Sequence, residues 1–236
     1  MGKLYDKLSQ DVRFVESLKA CINCGTCTAI CPAAEFYNYE PRVIATTVQS
    51  QDDAKIEELL KSETIWYCGE CMSCKTRCPR GNAPGLLIIA LRSLSQDLGY
   101  FTESEKGRQQ LALKRTIGEW ILKYGYCVNP DIMNPRLHPE QGPIWEWEKE
   151  HIEPVMEKMG ANYHGEGPGA LRKISDADLQ ELKNIFDITG GTERFRKIEE
   201  SSEKKADEMG LDCGHDIDSE YFDYVYTTNN SKHTRS

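Results

Sequence analysis

Cys21-Ile22-Asn23-Cys24-Gly25-Thr26-Cys27-Thr28-Ala29-Ile30-Cys31-Pro32 is matched further on by Cys68-Gly69-Glu70-Cys71-Met72-Ser73-Cys74-Lys75-Thr76-Arg77-Cys78-Pro79. Each copy reads C-x2-C-x2-C-x3-C-P, the spacing of the bacterial run that ligates 4Fe-4S clusters. A cubane offers four irons, each needing one outside ligand, and soft thiolates suit them. Cysteines three apart let three sulfurs face one cluster while backbone amides turn toward it. The proline after the fourth is pre-set for a first helical position. Zinc also takes four cysteines, and Cys21/Cys24 with Cys68/Cys71 alone would pass for a zinc pair. Zinc leaves the third and fourth cysteines and the paired prolines without a reason. The pattern therefore predicts iron–sulfur clusters and the movement of electrons.

Outward from the motifs the apolar spacing is helical. Leu4, Leu8, Val12, Val15 and Leu18 predict one amphipathic helix running into the first motif. Between the motifs, Pro41 opens a helix with Val43, Ile44 and Val48, and Asp52 and Asp53 cap another bearing Ile56, Leu59 and Leu60. Strand alternation is missing, so the clusters are expected between helices. After the second motif, Pro84 opens a strong helix with Leu87, Ile88, Leu91, Leu94 and Leu98, closed by Gly99. Thr102 and Glu105 have the form of a capping box for a helix carrying Leu113, Ile117, Trp120, Ile121 and Tyr124. A cluster domain is placed at residues 1–127.

The prolines at 130, 135, 139 and 143 predict an extended run from Asn129 to Gln141. Trp145 and Trp147 then enter a helix ending near Met159, and residues 160–169 read as a flexible break. Ser175 caps a helix with Leu179, Leu182, Ile185 and Phe186, and a more polar helix covers Thr192 to Met209. Residues 128–226 read as a helical and irregular extension, and 227–236 as a disordered tail. Apart from the cysteines no repeat is visible.

The net charge of -9 is uneven: residues 1–127 sum to +1 and residues 128–236 to -10. An acidic half argues against nucleic acid or an anionic membrane surface as partner. No apolar window predicts a membrane span and no signal peptide is visible, so a cytoplasmic chain is expected. Clustered cysteines there read as ligands rather than disulfides. Cys127, beside an apolar helix end, is expected to be a buried inert thiol, and Cys213, in a polar segment, an exposed one. The histidines show no ligand spacing. Neither a dinucleotide fingerprint nor a phosphate loop occurs, and no nucleophile has a credible base, so no substrate site is expected. Lys75, Arg77 and Arg80 crowd the second motif. They either raise the potential of a cluster there or form a solvated docking patch.

The motifs resemble those of two-cluster ferredoxins, in which the fourth cysteine ligates the other cluster. That resemblance implies Cys21, Cys24, Cys27 and Cys78 on one 4Fe-4S cluster and Cys68, Cys71, Cys74 and Cys31 on the second. Iron loss is then expected to unfold the domain. The helical spacer, Trp66-Tyr67 before Cys68, and Gly81-Asn82-Ala83-Pro84-Gly85 before an apolar run resemble the C subunit of heterodisulfide reductase over residues 10–127. That family implies a mainly α, alpha-helical ferredoxin fold with two 4Fe-4S clusters. It also implies two partners, the catalytic B subunit with its Cys-Cys-Gly domains and the flavin- and cluster-bearing A subunit. The chain has no Cys-Cys-Gly, unlike related chains that fuse the two modules. Its long acidic extension resembles the C subunit of heterodisulfide-reductase-like complexes in sulfur oxidisers, and is read as wrapping a partner. The alternatives are the methanogen-type complex reducing the mixed disulfide of coenzymes M and B, and a free-standing dicluster ferredoxin.

Overall fold

A computed structural model describes residues 2–227, and among them there is no strand. The mainly α expectation holds. Two compact units divide the chain: residues 1–110 with 197–211, and residues 111–196 with 212–236. No helix among the described residues is long and apolar enough to cross a membrane.

The first unit is built from α1 (Lys3–Ser9), α2 (Val12–Ser17), α3 (Thr26–Ala29), α4 (Ala33–Phe36), α5 (Pro41–Gln49), α6 (Asp53–Lys61), α7 (Ser73–Arg77), α8 (Pro84–Asp97) and α9 (Glu105–Arg108). Its core gathers Ile44 and Val48 of α5, Ile56 and Leu60 of α6, and Leu87, Ile88 and Leu91 of α8, all fully buried. Burial of each such side chain contributes about 1.5–3 kcal/mol. Pro41 and Pro84 open their helices as expected. Asp52 accepts from the amides of Ala54 and Lys55 and caps α6. Asp53 instead reaches back to the amides of Leu4 and Tyr5, 3.1 Å each, and satisfies the open start of α1.

The single N-terminal helix expected from residues 4–18 is two. Asp11 caps α2 by accepting from the amide of Arg13, and this break restarts the helical register. Phe14 is buried in consequence, while Val12 and Val15 stand 71% and 65% exposed. The capping box also shifts. Thr102 belongs to a 3-10 turn (Tyr100–Glu103), and Ser104 is the cap, accepting from Gly107 at 3.1 Å.

The second unit follows α10 (Gln110–Leu113), which spans the boundary, and a π-helical turn (Lys114–Gly118). It holds α11 (Glu119–Tyr124), α12 (Pro143–Glu150), α13 (Ile152–Lys158), α14 (Asp176–Ile188), the start of α15 (Gly191–Met209) and α16 (Glu220–Thr227). From Lys197 on, α15 belongs to the first unit. Between Asn129 and Gln141 the chain is not extended. Three 3-10 turns start at Pro130, Pro135 and Pro139, because the φ proline imposes also suits a first turn residue. Asn129 and Asn134 cap the first two. The loop after α13 is knit by Asn162, whose side-chain amide donates to the carbonyls of Glu166 and Pro168. α16, unforeseen in the sequence, buries Tyr221, Phe222 and Val225. The expected disordered tail lies outside the described residues except Thr227, which closes α16.

The two lone cysteines exchange their expected places. Cys127 is exposed just past the end of α11, whereas Cys213 is buried at 8% exposure. The cause is Arg115, itself 1% exposed in the π-helical turn. Its guanidinium donates to the carbonyls of Cys213, Gly214 and Asp216 at 2.7–3.0 Å, which draws that polar loop inward.

Candidate metal centre

The two motif loops fold alike, a repeat in backbone that goes beyond the cysteines. The second residue after the leading cysteine is left-handed in both, Asn23 at φ 58° and Glu70 at φ 55°, as is the fourth, Gly25 at φ 81° and Met72 at φ 59°. This turns an amide onto the leading sulfur. Asn23 N–H donates to Cys21 Sγ and Glu70 N–H to Cys68 Sγ, each at 3.4 Å. A hydroxyl flanks the second cysteine in both loops: Thr26 Oγ1 lies 3.4 Å from Cys24 Sγ, and Ser73 Oγ 3.4 Å from Cys71 Sγ. Those contacts hold both thiols below their ordinary pKa. Burial pushes the third cysteines, Cys27 and Cys74, the other way. A short helix follows each loop, α3 and α7.

Met72 occupies the left-handed region without being glycine, at a cost of about 1–2 kcal/mol. Its side chain lies where a Cβ on Gly85 would go, 3.0 Å from Met72 Sδ and 3.6 Å from Cys74 Sγ. Gly85 N–H also donates to Cys74 Sγ at 3.3 Å. Gly85→Val is therefore expected to strip metal from the second set of cysteines before the first, read as a selective loss of iron and visible absorption. Gly85→Ala should do much less, since the thioether end can swing aside.

Two hollows, partly open to solvent, lie between the loops. Cys21, Cys24 and Cys27 line the first together with Cys78 from the other loop. Cys68, Cys71 and Cys74 line the second together with Cys31. All eight thiols are free. Each set surrounds a volume instead of closing on a point, and among the described residues no three His, Cys, Asp or Glu side chains are grouped as around one ion. Four soft donors around a largely apolar hollow suit a 4Fe-4S cubane, with one iron per thiolate. The second cavity carries a further mark of an absent polar group. Tyr39 lines it, and the buried Tyr39 hydroxyl has no well-formed hydrogen bond, with only the Cys68 thiol beside it.

Neighbouring helices hold the loops in place. Gln49 of α5 grips Cys21 at both ends, accepting from its amide at 2.7 Å and donating to its carbonyl at 3.2 Å. Arg42, also of α5, donates to Asn23 Oδ1 at 2.8 Å and pairs with Glu40 at 2.6 Å. Arg92 of α8 donates to the carbonyls of Ile65 and Cys68 at 2.7 and 2.6 Å, pairs with Glu70 at 2.6 Å, and lies over the Trp66 ring. The sequence reading missed Gln49, Arg42, Arg92 and Tyr39. Arg92 alone left a signal, a cation in the midst of the apolar run of α8. Arg80, exposed like Lys75 and Arg77, is among the residues that line the first cavity together with Arg42, whereas those two line neither.

Residues 17–82 match the family of 4Fe-4S dicluster domains. The C subunit of the ferredoxin:CoB-CoM heterodisulfide reductase of Methanosarcina acetivorans is 31% identical over 230 residues, covering 92% of this chain and 88% of that protein. The second iron-sulfur C subunit of the CoB–CoM heterodisulfide reductase of Methanocaldococcus jannaschii is 31% identical over 65% of this chain and 76% of its own length. The C subunit of the H(2):CoB-CoM heterodisulfide,ferredoxin reductase of Methanothermobacter marburgensis is 28% identical over 80% and 85% respectively. The cysteine loops and the near full-length likeness agree: the chain belongs to the family of heterodisulfide reductase C subunits, iron–sulfur proteins that carry 4Fe-4S clusters.

Proposed function

We propose that this chain is the fixed electron relay of a heterodisulfide reductase complex, with two 4Fe-4S clusters held by crossed cysteine sets. Cys21, Cys24, Cys27 and Cys78 hold one, and Cys68, Cys71, Cys74 and Cys31 the other. The observation that carries this reading is the lining of the two cavities, each with three cysteines of one loop and the fourth of its twin. Each cluster supplies a site where one electron can rest. The chain's own residues do the remainder. Gln49, Arg42 and Arg92 fix the loops, and the apolar walls around Ala45 and Ile88 limit water near the sulfurs.

The proposed partners are a Cys-Cys-Gly protein that reduces the heterodisulfide of coenzymes M and B, and a flavoprotein that supplies electrons. The long acidic extension is the feature that points toward sulfur-oxidising complexes. A Methanosarcina acetivorans relative matches 92% of the chain, so that extension no longer separates the two readings. The names of the relatives favour the heterodisulfide. Docking falls to the second unit, where Ile144, Trp147, Ile185 and Ile188 are exposed. Apolar groups so placed suit a protein surface better than water.

Purification of the native full chain tests this. The expected result is a large complex whose reduced clusters are reoxidised by the heterodisulfide. Ile188→Glu with Trp147→Ala should release the chain from it without changing the chain's melt. A chain that runs alone, and whose clusters stay reduced when the heterodisulfide and the Cys-Cys-Gly protein are added, would instead be a free carrier.

A further inference from the structure

We propose that the Tyr39 hydroxyl donates a hydrogen bond to sulfur in the second cavity, either a cysteine thiolate or a sulfide of the cluster, and raises that cluster's affinity for an electron. The proposal rests on the crossed ligation set out above. Tyr39 is 2% exposed, and its hydroxyl has no well-formed hydrogen bond in the protein, with the Cys68 thiol beside it. A buried donor without a full hydrogen bond costs about 1–3 kcal/mol, so the position suits an acceptor stronger than a thiol, such as a cluster-bound thiolate or sulfide. The side chain lines the cavity that holds Cys31, Cys68, Cys71 and Cys74.

The ring is fixed there. Tyr67 meets Tyr39 edge-on at 6.3 Å and is itself stacked on Tyr37 at 4.3 Å, so the phenol sits in an aromatic wall. A phenol keeps its proton at neutral pH, so the hydroxyl is a donor. One-electron reduction adds a negative charge to the acceptor while the proton stays on oxygen. A donor bonds the more negative state more strongly, which favours reduction. The first cavity has no matching phenol among its lining residues and presents Arg42 and Arg80 instead, so the effect is confined to one of the two clusters.

The test is a redox titration of the full chain with its clusters, followed by electron paramagnetic resonance. Tyr39→Phe is expected to keep about eight irons per chain, as two 4Fe-4S clusters require. It should lower the reduction equilibrium constant of one cluster by about tenfold, roughly 59 mV for one electron, and leave the other unmoved. In the unaltered chain, transfer to heavy water should shift the iron–sulfur stretches of that same cluster, and Tyr39→Phe should abolish the shift. Two clusters with unmoved potentials and no deuterium shift would overturn the hydrogen bond alone. An unaltered chain with a single cluster would overturn the crossed ligation as well.

Discussion

Cys78→Ala is expected to delete the cluster shared with Cys21, Cys24 and Cys27, not the one beside its own motif neighbours Cys71 and Cys74. The cavity linings set this direction, since Cys78 faces the first set and Cys31 the second. Iron should fall by about half, from two 4Fe-4S clusters to one. The resonance that remains should match that of Cys21→Ala and differ from that of Cys68→Ala. Cys31→Ala should give the mirror result and match Cys68→Ala. If Cys78→Ala and Cys68→Ala leave the same spectrum, each motif holds its own cluster and the crossing is wrong. A cluster that survives with a 3Fe core still answers the question, because its parent can be read from which resonance changes.

Arg92→Ala should be the most damaging single change outside the cysteines. One guanidinium satisfies the carbonyls of Ile65 and Cys68 and pairs with Glu70, so it closes the approach to the second loop from three sides. Removing it leaves two part-buried carbonyls without a donor, a cost on the order of 3 kcal/mol. The loss should appear as a lower melt and as faster removal of iron by a chelator, confined to the second cluster. Arg92→Lys should rescue little, because an ammonium lacks the planar fork that spans these acceptors. A variant with unchanged melt and unchanged iron lability would show that the loop stands without this support.

Much of the first unit was legible because its signals are local. Cysteine spacing, Pro41, Asp52 and the apolar step of α8 each act within a turn or two of chain. The features without a local signal depend on partners distant in sequence. Cys213 is buried because Arg115 gathers the carbonyls around it, and nothing near Cys213 in the sequence records that pull. The break at Asp11 was hidden by apolar residues that continue a helical step through it, and only the burial of Phe14 shows which side faces inward. The core also revises the expectation that iron loss unfolds the domain. Ile44, Val48, Ile56, Leu60, Leu87 and Leu91 pack together through α5, α6 and α8. Without iron, the motif loops should loosen while those helices persist, measurable as retained helical circular dichroism with a lower melt.

The shared fourth thiols bear on how such a chain is made. With crossed ligation, the cavity begun at Cys21 cannot be closed until Cys78 has left the ribosome, and the second cavity borrows from a loop synthesised long before it. Neither can be furnished early and set aside. Loading by the maturation machinery must therefore follow synthesis of both loops. A half-loaded chain would leave four thiols without iron, three on one loop and one on the other.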